Sequence, residues 1–98
     1  MAQFDIFELR SGGLVIDCQA DILAGINTRF VAPLNLPDDA PPGRARLNPV
    51  FQVDGEQRVM VTQFAGAVSV SELGRKVMSL GREEYVIKNA LDMLLSGI

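Results

Sequence analysis

The 98-residue chain has no histidine, no tryptophan and a single cysteine, Cys18. Without histidine it lacks the side chain best suited to moving protons near neutral pH, and the commonest transition-metal ligand. Any catalysis would fall to carboxylates, arginine, tyrosine or threonine. One cysteine excludes an intrachain disulfide and a thiolate zinc cluster. No apolar run approaches the roughly 18 residues of a membrane span. The N-terminus also lacks the basic and apolar regions of a signal peptide, so a cytoplasmic location is expected, with no membrane partner. An excess of positive charge is missing too. Nine Lys and Arg face twelve Asp and Glu, a net charge of −3, whereas proteins that live on phosphate backbones carry a positive surplus. Direct sequence-specific nucleic-acid binding is therefore not expected. There is no Walker loop, dinucleotide-binding glycine fingerprint, nucleophile elbow or metal box, so neither cofactor nor metal is expected.

What is present is the composition of a soluble globular protein, 48% apolar and 21% charged, at a length suited to one domain over residues 1–98. Gln3 to Leu9 reads as a first strand with imperfect alternation, which implies either a bulge or two partly covered faces. Arg10-Ser11-Gly12-Gly13 is a turn. Leu14 to Ala20 alternates cleanly, with Leu14, Ile16, Cys18 and Ala20 inward and Val15, Asp17 and Gln19 outward. On that pattern Cys18 is a small core hydrophobe. Asp21-Ile22-Leu23 carries two large apolar residues into a bend, where exposure would make them a sticky ridge. Thr28 to Leu34 is a third strand, and Pro33 argues for an edge or a terminus. The stretch 35–49 holds five prolines and glycines that exclude regular ladders, with Asp38-Asp39 read as solvated turn residues. Val50–Val53 and Glu56–Phe64 flank Asp54-Gly55, a dipeptide favoured in tight hairpins. Val68-Ser69-Val70 looks extended, Ser71–Gly74 reads as a short helical turn, and Arg75–Leu80 as a brief strand. Short sequential strands followed by one helix indicate a mainly β protein with a C-terminal α-helix, built as a small, strongly bent, mostly antiparallel sheet or half-barrel.

The last stretch, Leu80 to Ile98, is the expected helix. Gly81 suits the N-cap, Glu83 and Glu84 fall in the first turn, and Leu80 with Tyr85 can form a hydrophobic staple. Glu84 and Lys88 stand four apart in the favourable order. Val86, Ile87, Ala90, Leu91, Met93, Leu94 and Leu95 cover an arc of roughly 200° at 3.6 residues per turn. One core needs little more than about 100°. The surplus suggests that one flank packs on the chain's own core and the other on something else, such as a second copy. Ser96-Gly97-Ile98 then leaves a small tip with an apolar residue and a free carboxylate. The plainer reading is a Gly C-cap followed by one residue that docks back.

In order and spacing these segments resemble the CcdB family of toxins, the gyrase poisons of toxin–antitoxin modules. The resemblance lies in Gln3-Phe4-Asp5-Ile6-Phe7, Asp21-Ile22-Leu23, Val31-Ala32-Pro33-Leu34, Pro49-Val50-Phe51 before Asp54-Gly55, and Val68 through Gly74. It is most specific at Ile87 through Ile98. It implies an SH3-like small β-barrel of the type shared by CcdB, MazF and Kid toxins. It further implies a non-enzymatic homodimer that binds the A subunit of DNA gyrase and traps the enzyme on cleaved DNA. A CcdA-type antitoxin, with a disordered segment that wraps the toxin, would be the second partner. By the same resemblance Ser96, Gly97 and Ile98 form the gyrase-facing tip, with Asp92 and Leu95 one turn back and Ile22 and Leu23 alongside. Where the well-studied poisons of the family end in Trp-Gly-Ile, this chain has Ser96-Gly97-Ile98, so a residue type prominent at interface hot spots is absent. Two alternatives therefore stand beside the first reading. One is a relative that keeps the antitoxin but no longer poisons gyrase. The other is an endoribonuclease like MazF and Kid, for which Thr28, Arg29 and Thr62 are the suspects.

Overall fold

A computed structural model describes residues 2–98. In them seven strands run as β1 (Asp5–Leu9), β2 (Leu14–Asp17), β3 (Thr28–Asn35), β4 (Val50–Val53), β5 (Glu56–Met60), β6 (Gly66–Ser69) and β7 (Leu73–Ser79), followed by helix α1 (Glu84–Ser96). Every strand pairing is antiparallel, in the order β4-β5-β3-β2-β1-β7, with β6 on the remaining edge of β3. A single 3-10 turn, Val70–Glu72, carries β6 into β7. A segment bonded to β3 thus continues into one bonded to β1, and the sheet curls into a half-barrel.

The curl creates two apolar layers. On one face Phe4, Ile6, Ile16, Ala32 and Leu34 pack with Phe51 and Val53 of the hairpin and with Ile87 of α1. On the other, inside the curl, Phe7, Val15 and Val31 meet Leu73, with Leu9 and Val68 beside them. The imperfect alternation of β1 has its cause here, because Ile6 serves one layer and Phe7 the other. Both proposed origins apply: β1 also shifts register against β7 between Ile6 and Phe7 and again before Leu9. The Asp54-Gly55 hairpin forms as expected, with Val53 opposite Glu56 and both turn residues at positive φ (51° and 83°).

Burial on both faces overturns one expectation. Asp17, read as outward, is fully buried, and so is Arg29. Asp17 Oδ2 accepts from Arg29 Nε at 3.0 Å and Nη2 at 2.5 Å, while its Oδ1 accepts the Gln19 N–H at 3.0 Å. Alternation marks an outward face only where one side of the strand is wet, and this strand has no wet side. Cys18 is buried in the first layer, as its pattern predicted, whereas Ala20 is exposed.

Other differences are local. Phe4 takes φ +71°, its N–H bonded to the Asp17 carbonyl and its carbonyl to the Leu80 N–H at 2.8 Å. A left-handed residue cannot continue a strand, so β1 starts at Asp5 rather than Gln3. β3 has partners on both sides and is not an edge strand, but Pro33 stands where its outer neighbour changes from β6 to β5. The second arm of the hairpin ends at Met60, and Thr62–Phe64 is a 3-10 turn. The final strand begins earlier than expected, at Leu73. Gly81–Glu83 form a 3-10 turn ahead of α1, so Gly81 is not its N-cap. Tyr85 is exposed while Leu80 is buried, and the staple does not form.

This packing can be tested at its buried charges and its buried thiol. Asp17→Asn leaves the Arg29 charge buried without its counter-ion and should cost about 3–5 kcal/mol in urea unfolding, while the double substitution Asp17→Val, Arg29→Met should recover most of that loss. Burial, helped by the neighbouring Asp17 carboxylate, pushes the Cys18 thiol from 9.0 up to about 12. The folded chain therefore keeps a proton that the unfolded chain releases above its own value, so this contribution is whole below about pH 9 and is lost toward pH 12. Between about pH 9 and about pH 12 the urea midpoint of the native chain should fall more steeply than that of Cys18→Ala.

Candidate functional site

Helix α1 is anchored by a narrow stripe. Ile87 and Ala90 are fully buried and Leu91 packs partly against the same layer, the i, i+3, i+4 spacing of one helix face. The Lys88 Nζ to Glu84 Oε1 ion pair forms as expected, at 2.8 Å on the solvent side. Beyond the stripe the apolar arc is uncovered. Val86 is 40% exposed, Leu94 39% and Leu95 77%, so over half of the large aliphatic side chains on this helix face water.

The helix ends where the sequence suggested. Gly97 adopts φ +73° and donates its N–H to the Met93 carbonyl at 3.0 Å, a left-handed C-cap. Ile98 does not dock back, since 78% of it is exposed. Its main-chain oxygen is instead held by Arg46 Nη2, which also donates to Asn89 Oδ1. Asp92, Ser96 and Gly97 are exposed nearby. Sequence reasoning gave Arg46 no role, because an exposed arginine in a proline-rich loop carries no periodicity and its partners lie more than forty residues away.

Ile22 and Leu23 sit on a 3-10 turn (Asp21–Leu23), 91% and 45% exposed. The turn is tied down by Gln3 N–H to Asp21 Oδ1 at 2.7 Å and by Gln19 Nε2 to the Leu23 carbonyl at 3.1 Å. It is a firm apolar ridge, but it does not pack extensively on α1 within one chain. A cleft of about 430 Å³ runs along the other flank of α1, lined by Glu84, Tyr85, Lys88, Asn89 and Asp92.

The residues suspected of RNA chemistry are placed differently. Arg29 is sealed in its pair with Asp17, and Thr62 is fully buried with its hydroxyl donating to the Leu47 carbonyl at 2.5 Å. Thr28 alone of the three is exposed. Among the described residues no three His, Cys, Asp or Glu side chains converge as a metal site, and no helix is long and apolar enough to cross a membrane.

Comparison with known proteins agrees with this architecture. The fold is similar to that of the Mycobacterium tuberculosis toxin MazF-mt6, with a TM-score of 0.73 over 90% of each chain at 16% identity. A second solved structure, described as an Mtb toxin, gives a TM-score of 0.70 over 88% of this chain and 94% of that one, also at 16% identity. At that identity the likeness is one of fold. In sequence, the family model described as CcdB protein matches residues 3–97, from the left-handed Phe4 region to the helix C-cap, and the chain belongs to the CcdB family.

Proposed function

We propose that this chain is the toxin of a toxin–antitoxin module. It acts in the cytoplasm as a homodimer whose paired C-terminal tips bind the A subunit of DNA gyrase and trap the enzyme on cleaved DNA, and a CcdA-type antitoxin neutralises it. Family membership supports the toxin class. The observation that carries the finer reading is the uncovered aliphatic surface of α1, with Leu94, Leu95 and Ile98 exposed on a well-capped helix end. Apolar surface gathered on a rigid element is the ordinary mark of a protein-binding site. A two-fold dimer that covers part of the surplus arc brings two tips side by side, and a symmetric pair of tips suits a symmetric target. In this reading Ser96, Gly97 and Ile98 form the contact, Asp92 and Leu95 flank it, and Ile22 and Leu23 add a second apolar element. The antitoxin binds by folding a disordered segment onto the toxin surface.

Ser96 favours a second reading, a family member that retains its antitoxin without poisoning gyrase. Ser has little area to bury, where a Trp buries roughly 200 Å² or more. The ribonuclease alternative draws on the MazF-like fold, yet Arg29 and Thr62 are withdrawn from any phosphodiester. With Thr28 as the remaining exposed suspect, the non-enzymatic reading is the better supported.

The deciding experiment is supercoiled-plasmid cleavage by purified gyrase with ATP, quenched with detergent. Linear DNA that appears only with the protein is the expected product. A chain lacking Gly97 and Ile98 should lose it by at least about tenfold while its thermal midpoint stays nearly unchanged. Undiminished cleavage by that truncated chain would overturn the tip assignment. No linear DNA from the intact protein, together with retained antitoxin binding, would select the second reading. Degradation of single-stranded RNA that disappears in Thr28→Ala would select the ribonuclease.

A further inference from the structure

The C-terminal tip does not hang free, and the group that holds it comes from the irregular loop. Residues 44–48 form a turn closed from both ends. The Arg44 N–H donates to Asn48 Oδ1 at 3.1 Å and the Asn48 N–H to the Arg44 carbonyl at 3.0 Å. The turn is then bolted to the sheet. Asn48 Nδ2 donates to the Met60 carbonyl at 3.0 Å and to Gln63 Oε1 at 2.8 Å, and the Leu47 carbonyl takes the buried Thr62 hydroxyl. At its apex Arg46 adopts φ +67°, a backbone region that long side chains seldom occupy. Such a conformation persists where the surroundings over-determine it, and clusters at working sites. Here it aims the guanidinium at α1, where Nη2 donates both to Asn89 Oδ1 and to the main-chain oxygen of Ile98. The two acceptors are nine residues apart in sequence, and one guanidinium nitrogen joins the body of the helix to the residue beyond its left-handed cap. The cation also lies at the negative end of the helix dipole.

We infer that Arg46 is a positioning residue for the C-terminal tip: it fixes the backbone after Gly97 so that the Ile98 and Leu95 side chains are presented to a partner already ordered. The inference rests on the proposed reading of that tip as a protein-docking surface. The geometry favours presentation over concealment, because the latch engages main chain while Ile98 and Leu95 remain more than three-quarters exposed. It also acts where freedom is greatest. Glycine gives the chain more conformational choice than any other residue, and ordering a loose two-residue end on contact would draw on the binding free energy. A latch braced through Asn48 to Met60 and Gln63 removes that loss in advance.

The test uses the full-length chain and two variants, Arg46→Ala and Arg46→Lys. Backbone ¹⁵N relaxation reports the order of the Gly97 and Ile98 amides without any partner, and titration with the dimerisation fragment of the gyrase A subunit reports docking. In the native chain the Ile98 order parameter should lie close to that of the helix, and in Arg46→Ala it should fall below about 0.6. Affinity for the fragment should drop about three- to tenfold, the loss expected for solvent-facing hydrogen bonds, with the thermal midpoint unchanged. Lysine keeps the charge but not the planar fork, so Arg46→Lys should restore part of both readouts. An Ile98 amide equally ordered in Arg46→Ala would overturn the latch. A loosened tip with undiminished affinity would overturn its positioning role, provided removal of Gly97 and Ile98 abolishes binding. If that removal leaves binding intact, or the native chain does not bind at all, the docking reading fails. The relaxation result then still decides separately whether Arg46 holds the tip.

Discussion

One missing hydrogen-bond donor governs how the sheet divides. In a strand the N–H and carbonyl of one residue point to the same side, and the Pro33 carbonyl accepts from the Val61 N–H at 2.9 Å. The absent proline N–H therefore faces the outer side of β3, between its last rung with β5 (Leu34 opposite Met60) and its last with β6 (Val31 opposite Gly66). No rung toward β2 is lost, where Val15 stands opposite Pro33. The chain leaves the ladder at this gap, through the 3-10 turn Thr62–Phe64, and rejoins it as β6. One half of β3 thus carries the β4–β5 hairpin that supports α1, and the other half carries the strand that closes the curl. Proline in a central strand is normally excluded. It is tolerated here because β3 is, for one residue, an edge.

That division explains which parts of the fold were legible. Asp54-Gly55 was readable because a two-residue hairpin is a local event, satisfied by the φ values of its own two residues. The two-sided burial of β2 was not. Val15 and Asp17 alternate with Ile16 and Cys18 as they would on a half-wet strand, and nothing within the strand says that Leu73 and Val68, more than fifty residues on, will close over the second face. The buried Asp17–Arg29 pair has the same origin. Each residue alone looks like a surface group; the β2–β3 pairing sets Arg29 two residues from Val31, the partner of Asp17, and the curl then covers both in a place that neither could occupy unpaired. Arg29 Nη1 is left without a protein partner even so, which marks the pair as a constraint on register more than a source of net stability.

At the helix the balance is reversed. The surplus apolar arc was visible from spacing alone, since the periodicity of α1 depends on its own residues, and the structure leaves Val86, Leu94 and Leu95 uncovered as that surplus requires. The start of the helix was less legible. Gly81 is a plausible cap by type, but the chain arriving from the final strand takes a 3-10 turn first, and α1 begins without a side-chain cap. What escaped entirely was the contact between Arg46 and the tip. It joins a loop without periodicity to the last residue of the chain, and depends on the path of every element between them.

At 16% identity the likeness to the MazF-type toxin is one of fold, and a fold alone does not fix function. What bears on function in this chain is where its own cations and apolar side chains stand. In a chain of net charge −3, the conspicuous strand arginine is spent internally on Asp17, and the surplus hydrophobic area is pushed outward along α1. A phosphate backbone is held chiefly by accessible positive charge; an aliphatic helix end offers it nothing. Such an end suits a protein surface with an apolar recess. With Ser96 in place of a large aromatic, docking on the proposed reading must draw on several aliphatic side chains, Leu94, Leu95 and Ile98, instead of one dominant anchor. A contact spread over small groups gains more from being held rigid than one built on a single deep insertion, because each group contributes little unless all arrive together. The order of the tip then matters as much as its composition, and in this chain that order comes from the loop.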